Sequence, residues 1–410
     1  MIVTRVERHC IKKTNKYYSL IDDFCFKSKN LYNHANYIIR QEYIQNKKWV
    51  RYGELDRSLK NDVEFPDYRE MPTAQSAQQI LRLIDKNWKS YYALLKDYNK
   101  NPSKYKGKPK IPKYLKSNGR NILILTNQNC KIVDNYLCFP KVFNGFKIQP
   151  QFIQKNKFVS FQQTRFIPKN NRIVIELVYN IEVPDEVINN SRVIAIDIGV
   201  NNLATICNNI GKQPIIINGR IIKAYNQYFN KFISKYKSIC KTMNNCFTTN
   251  RITKITNKRN DKINDYLHKT SKFIIDYCVN NNISKIIIGN NKEWKQNANL
   301  GKRNNQNFVQ IPFNRFIEML QYKAQEKGIA VIITEESYTS GTSFIDNELP
   351  IKENYNKNRR IHRGLFVSNN KIKINADVNA SYQIIKKVFP NTFSNGIEDV
   401  VLHPVQVRIA

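Results

Sequence analysis

From Arg192 onward, short apolar runs alternate with helical patterns, and this alternation limits the possible folds more than any other feature of the chain. The runs RVIAIDIG, LATIC, QPIIING, SKIIIG and IAVIITEE are predicted as strands. Helical spacing is found over about Lys223 to Asn282, from Asn314 to Lys327 and from Ala376 to Val388. Strands and helices in this order predict a layered α/β domain over residues 186–410.

The first part of the chain has a different organisation. A short strand is predicted at the start, helices from Tyr17 to about Leu95, and strands with turn signals from Ile122 to Val183. The turn Lys169-Asn170-Asn171 predicts a β hairpin. We therefore predict an α+β multidomain protein, in which a β-rich domain (1–16 and 121–185) contains a helical insertion (17–120), with the boundary to the α/β domain near Pro184.

The chain carries 67 Lys and Arg residues against 32 Asp and Glu residues, a net charge of +35. The excess is 34 − 17 = +17 before residue 190 and 33 − 15 = +18 after it. Charge spread over a whole folded protein favours a long polyanionic partner, because each neutralised phosphate releases counterions. Nucleic acid is therefore the expected partner.

No apolar run is long enough for a membrane-spanning helix, and MIVTRVERHC lacks a secretory signal. The expected location is the cytoplasm of a prokaryote, with the protein on the nucleoid when it binds DNA. The 8 cysteines form no CxxC pair and are expected to be reduced thiols. The 5 histidines lack metal-site spacing, and there is no Walker-type loop.

Acidic residues follow two predicted strands and begin one predicted helix. Asp197 ends RVIAID next to Gly199, Glu335 and Glu336 end IAVIITEE, and Asp377 begins the last helix beside Asn375 and Asn379. Each has an ordinary alternative: a turn for Asp197, surface exposure for the two Glu residues, and a helix cap for Asp377. Gathered at one sheet edge, three such carboxylates would hold two divalent ions for phosphodiester cleavage.

Basic and aromatic residues mark candidate contacts to nucleic acid. The loop KDYNKNPSKYKGKPKIPKYLKSNGR is predicted to be extended, because its prolines forbid a continuous helix. Its Lys and Tyr residues can hold a phosphate backbone and stack on bases, and a solvated linker is the alternative. A solvated basic face is the alternative around His268, and burial is the alternative for Trp294. The predicted contact residues are Lys104, Lys106, Lys108, Lys110, Lys113, Tyr114, His268, Lys269, Trp294, Lys302, Arg303, Tyr338, Thr339, Ser340, Arg359 and Arg360.

The ordered motifs AIDIGVNNLAT, DYLHKTSKFIIDYC, IPFNRFIEMLQYKAQEKGI, SYTSGTSF and NADVNASYQI resemble TnpB, the OrfB-type transposon-encoded nuclease related to compact type V CRISPR effectors. The resemblance is strong over about 190–390, while TAQSAQQILR and KGKPKIPKY match in the preceding half. It implies a wedge domain, a recognition lobe and a RuvC-like nuclease domain with an RNase H-like fold. It also implies a guide RNA from the element's end, a DNA target beside a short motif, Mg²⁺ and a possible companion transposase. Asp197 and Asp377 match the first and third RuvC acids.

The chain departs from this family twice. The strand SKIIIG ends in Gly289 where the family usually has a catalytic Glu, and no cysteine follows Cys278, so residues 341–374 are a degenerate ribbon segment without zinc. Two explanations of the missing acid stay open. If IAVIITEE lies beside SKIIIG, one of Glu335 and Glu336 replaces the acid, because strand alternation sends the two to opposite faces. Otherwise the protein only binds DNA as an RNA-guided repressor; a transposase acting directly on DNA ends is a third hypothesis.

Overall fold

The computed structural model describes residues 1–154, 157–291, 301–362, 364–393 and 402–409. The side chains of residues 244 and 302–304 are outside this description. The chain divides into two compact units, residues 2–182 and Met1 with residues 183–410. None of the described helices is both long and apolar enough to span a membrane.

The described part of the first unit contains two sheets and three α-helices. Its strands are β1 (Ile2–Lys12), β2 (Leu123–Thr126), β3 (Lys131–Val133), β4 (Tyr136–Cys138), β5 (Lys147–Ile148), β6 (Phe158–Lys169) and β7 (Arg172–Glu182). The antiparallel order is β1-β7-β6-β2, with a second small sheet β3-β4-β5. Asn170 and Asn171 have φ of 53° and 59°, the backbone of a type I′ turn, which confirms the predicted hairpin.

The helices of this unit are α1 (Tyr18–Asn46), α2 (Tyr52–Lys60) and α3 (Ala74–Lys100). Thr73 and Ser76 form a reciprocal capping box that starts α3. The fully buried Trp88 of α3 donates from its indole nitrogen to Asn36 Oδ1 of α1 over 3.0 Å. The basic loop predicted from Lys96 begins later, because α3 continues to Lys100 and a 3-10 turn follows over Pro102–Lys104. The rest of the loop is irregular as predicted, and α1 tethers it: Lys29 Nζ donates to Ser117 O at 2.8 Å.

The second unit is built on a six-stranded sheet with the order β12-β11-β8-β9-β10-β16. The strands are β8 (Val193–Asp197), β9 (Asn202–Asn208), β10 (Ile215–Asn218), β11 (Lys285–Gly289), β12 (Ala330–Thr334) and β16 (Val405–Val407). β8, β11 and β12 are parallel neighbours. The predicted adjacency of IAVIITEE and SKIIIG is therefore confirmed.

Helices α4 (Arg220–Asn244), α5 (Asn250–Asn280), α6 (Lys302–Val309), α7 (Phe313–Gln325) and α8 (Ala376–Val388) complete this unit with a small sheet, β13 (Arg360–His362), β14 (Leu365–Val367) and β15 (Lys373–Asn375). The residues of α5 and α7 share one apolar core with the sheet, and those of α8 share a second core. The single helical stretch predicted over 223–282 is wrong. It is two helices, because Asn245 turns left-handed at φ 45° and the Thr249 side chain caps α5.

Candidate active site

Asp197 lies where the central strand of the second unit leaves the sheet. The preceding β8 residues Val193 to Ile196 are buried, since both faces of the sheet are covered. A Cβ at Gly199 would come within 2.8 Å of Asn202 O, so glycine permits the sharp exit. This tight loop places Asp197 and the amide of Asn202 on the same cleft.

Asp377 lies in the first turn of α8. Its helix is capped by Asn375, whose Oδ1 accepts from Asp377 N at 3.0 Å and from Val378 N at 3.2 Å. The capping alternative for Asp377 is therefore wrong. Its carboxylate instead accepts from Asn202 Nδ2 at 2.7 Å and pairs with Arg360 Nη2 at 3.3 Å.

Glu336 and Glu335 follow β12 and have different surroundings. Glu335 is exposed, whereas Glu336 is partly buried and lines the cleft with Asp197 and Asp377. Strand β12 ends at Thr334, so Glu335 and Glu336 lie just beyond the strand. The prediction that neighbouring residues point to opposite faces therefore concerns residues that follow the strand and do not belong to it. Of the two acids, the structure brings Glu336 into the cleft.

The side chain of Glu336 occupies space that only glycine leaves open. A Cβ at position 289 would lie 2.6 Å from Glu336 Cγ, 2.7 Å from Glu336 Oε1 and 2.8 Å from Ile384 Cδ1. Any residue with a Cβ at Gly289 would therefore collide with this arrangement. The carboxylate of Glu336 lies beside the strand end where the resemblance expects the second acid.

Asn291 holds Glu336 in this place, and sequence reasoning did not find it. Asn291 Oδ1 accepts from Glu336 N at 3.0 Å, and Asn291 Nδ2 approaches Glu336 Oε2 at 3.4 Å. Thr339 Oγ1 donates to Glu336 O at 2.8 Å. An asparagine two residues after the missing acid was the only signal for this contact in the sequence.

The cleft has a volume of about 270 Å³ and is lined mainly by polar groups. Thr339, Ser340, Asn201, Asn202, Asn291 and Arg360 line it together with the three carboxylates. Burial raises the pKa of Asp197 well above its usual value, and the nearby Glu336 and Asp377 raise it further, while Arg360 opposes them. Burial raises the pKa of Glu336 to about 7. The three carboxylates are thus close together, and the positive charge of Arg360 is smaller than the negative charge that they would carry if all three were ionised.

The chemistry of this donor set fits a hard divalent cation. Carboxylate and amide oxygens are the ligands that Mg²⁺ prefers, and Glu336 Oε1 is buried without a hydrogen-bond donor. In the described ranges, no group of three or more His, Cys, Asp or Glu residues is already arranged as a metal site. Coordination by all three carboxylates therefore requires their side chains to turn toward a common point.

The predicted nucleic-acid residues lie in several places. In the first unit, the five predicted lysines of the basic loop are exposed and Tyr114 is 43% exposed, with the Arg40 guanidinium 4.5 Å from its ring. On α5, Lys269 is exposed and pairs with Asp265 at 3.1 Å, and His268 is partly buried. Ser271, part of the same motif, is buried and accepts from Lys323 Nζ at 2.7 Å, so it supports the packing of α5 on α7.

Other predicted contact residues are committed to the cleft or its surroundings. Thr339 and Ser340 line the cleft, and Tyr338 is 38% exposed with a left-handed φ of 67°. Arg359 pairs with Glu348 at 2.6 Å and is mostly buried, while Arg360 pairs with Asp377. Trp294 and the side chains of Lys302 and Arg303 lie outside the described residues. Their contacts to nucleic acid stay predictions.

Two family models match the second half of the chain. Residues 176–295 match OrfB_IS605, described as a probable transposase, and residues 313–384 match the TNB domain of Cas12f1-like proteins. A comparison with curated proteins found no match.

Two solved structures are similar to the chain. The Cas12f1–sgRNA–target DNA complex shows 14% identity and a TM-score of 0.35, with 93% of this chain and 98% of that chain covered. A CRISPR–Cas12f ternary complex shows 14% identity and a TM-score of 0.37, with 89% and 81% covered. Scores this low do not establish a common arrangement of the chains.

The two family matches contain the residues that form the cleft. Asp197 and Gly289 lie in the first matched segment, and Glu336 and Asp377 lie in the second. The five ordered motifs from AIDIGVNNLAT to NADVNASYQI lie in or next to the same segments, whereas TAQSAQQILR and KGKPKIPKY lie outside both. Over these two segments the chain is similar to the OrfB_IS605 and Cas12f1-like families, which confirms the resemblance to TnpB that its sequence motifs indicated.

Proposed function

We propose that this protein is an RNA-guided DNA endonuclease of a transposable element, with Asp197, Glu336 and Asp377 as its metal-binding carboxylates. One observation carries the proposal: Glu336 fills the space beside Gly289 and lines one cleft with Asp197 and Asp377. A relocated acid at this place supplies the oxygen donor that the family usually has at the end of this strand and that Gly289 cannot provide.

The residues of the cleft have separate tasks in this proposal. Asp197, Glu336 and Asp377 bind divalent cations, Asn202 orients Asp377, and Arg360 offers a positive charge to a phosphate. Two Mg²⁺ ions bound there would activate the attacking water and stabilise the leaving oxygen of a phosphodiester. Glu336 must lose its proton to bind a cation, so its pKa of about 7 makes cation binding depend on pH near neutrality.

The remaining parts follow the family plan. Residues 1–16 with 121–185 would be the wedge domain, 17–120 the recognition lobe and 186–410 the RuvC-like domain. The partners would be a guide RNA and a DNA duplex with an adjacent motif, and no zinc is expected, since no cysteine follows Cys278. The protein's charge of +35 supports binding of both nucleic acids.

A nuclease-inactive, RNA-guided DNA-binding repressor is the second candidate. It is favoured by the lack, in the described part of the chain, of a ready-made three-residue metal site. A transposase that joins DNA ends itself is a weaker candidate, supported by the description of the family that residues 176–295 match.

Cleavage of a plasmid library separates these functions. The protein is co-expressed with the RNA that flanks its gene, and wild type is compared with Asp197→Ala and Glu336→Gln, with Glu335→Gln as the matched control. We expect guide-dependent cutting by wild type and Glu335→Gln and none by the other two. Guide-dependent binding without cutting would favour the repressor, and joined ends without a guide would favour the transposase.

A further inference from the structure

Helix α4 has a face of apolar and aromatic side chains, three of them exposed and two, Phe232 and Tyr236, partly buried, with no role in the cleft. At 100° per residue, Tyr228, Phe232, Tyr236, Ile239 and Met243 fall within about 80° of the helix circumference. Tyr228 is 63% exposed, Ile239 42% and Met243 74%. We call these five residues the α4 aromatic face. Exposed apolar groups gathered on one face usually mark a binding surface.

The aromatic rings of this face form a row along the helix. The ring centroids of Tyr228 and Phe232 are 4.4 Å apart, and those of Phe232 and Tyr236 are 6.3 Å apart. The Arg251 guanidinium lies 4.4 Å from the Tyr236 ring and ends the row. Rows of aromatic and guanidinium planes are platforms on which unpaired bases stack, whatever their sequence.

The charge around this face favours a polyanion over an apolar protein partner. Residues 198–260, which include all of α4, contain 11 Lys and Arg residues and no Asp or Glu. Lys231 and Lys235 are exposed and lie on the helix just beside the ring row. An apolar partner would cover these cations without neutralising their charge, whereas the phosphates of a nucleic-acid backbone would neutralise it.

The first turn of α4 borders the carboxylate cleft. Gly219 N donates to Asn201 O at 2.7 Å, and Lys223 Nζ of α4 lies 3.4 Å from Asn201 Oδ1. Asn201 itself lines the cleft. Lys223 lies about 180° around the helix from Phe232, so the N-terminal end of α4 borders the cleft while the aromatic face lies on the other side of the helix.

We propose that the α4 aromatic face binds single-stranded DNA, with bases on the rings and phosphates beside Lys231 and Lys235. The choice of DNA rests on the proposed function, because DNA is then the nucleic acid that the cleft cuts. Stacking gives the face affinity without sequence preference.

Binding of fluorescein-labelled oligothymidylate to the full chain, followed by fluorescence anisotropy in EDTA, tests the proposal. Tyr228→Leu combined with Phe232→Leu keeps an apolar surface but removes two stacking planes, and we expect about tenfold weaker binding with an unchanged salt dependence. Tyr228→Phe keeps the plane and should bind like wild type. Lys231→Gln with Lys235→Gln should instead reduce the slope of log affinity against log salt by about 1.4, at about 0.7 per lost phosphate contact.

Several outcomes would overturn the proposal. The leucine pair could bind as tightly as wild type, or an oligonucleotide with iododeoxyuridine could crosslink only outside residues 224–243. Light scattering could show a wild-type dimer that the leucine pair separates, which would assign the face to a second copy. Tighter binding of matched oligouridylate, lost in the same variants, would assign it to RNA.

The experiment also separates this proposal from the proposed function. If wild type binds in this way but never cuts, the nuclease assignment fails and the binding surface stands. If the leucine pair cuts and binds like wild type, the surface is wrong and the nuclease assignment stands.

Discussion

Replacing Glu336 by Gln should stabilise the metal-free protein at alkaline pH. Burial raises the pKa of Glu336 from 4.5 to about 7, so the folded state holds this proton more tightly than the unfolded state does. The free energy of unfolding therefore falls as the pH rises from about 4.5 to about 7, and the loss persists above it. Glutamine has the same shape and cannot ionise, so the variant escapes this loss.

The size of the effect follows from the shift. One pKa unit corresponds to about 1.4 kcal/mol, so raising the pKa from 4.5 to about 7 sets a ceiling of about 3–4 kcal/mol on the effect. Because Asp197 and Glu336 share the cleft and titrate together, we expect about 1–3 kcal/mol at about pH 8 and almost none at about pH 4.5.

Urea unfolding in EDTA at both pH values, followed by circular dichroism, measures this difference. Glu335→Gln is the matched control, since the neighbouring residue is exposed, and it should show no comparable pH-dependent gain. An equal effect of Glu336→Gln at both pH values, or none at about pH 8, would show that Glu336 is not a crowded, buried carboxylate.

Three further predictions concern the same cleft. Millimolar Mg²⁺ should raise the thermal midpoint of wild type at about pH 8 by several degrees and that of Asp197→Asn less, because a cation bound only by the folded state stabilises it; equal shifts in calorimetry would argue against a cleft site. Gly289→Ala should lower the free energy of unfolding by about 1–3 kcal/mol and abolish cutting, because its Cβ would lie 2.6 Å from Glu336 Cγ. The control Gly53→Ala, whose Cβ would have nothing within 4 Å, should leave the free energy of unfolding measured in urea undiminished. Asn291→Ala should lower the cutting rate at least about tenfold while target affinity in gel shifts stays unchanged, since it releases Glu336; a matching loss of affinity would contradict a positioning role.

Sequence patterns were sufficient to predict elements whose structure depends on residues close together in the chain. The bounds of α8 follow from its helical spacing and are confirmed from Ala376 to Val388. The Asn170-Asn171 turn is confirmed because asparagine tolerates the left-handed backbone that a tight hairpin needs. The break between α4 and α5 was missed because both sides of residues 245–249 keep a helical pattern, and a single Asn cap is a weak signal.

The sequence by itself determined which residue types could form a cleft, and it showed that Gly289 left a place without its acid. Only the tertiary structure decided that Glu336, and not Glu335, lines the cleft. The reason is physical: the missing Cβ on one strand makes room for a side chain that follows the neighbouring strand, 47 positions later. Asn291 then holds that side chain through a contact between two strand ends. No sequence pattern indicates that these two residues lie next to each other.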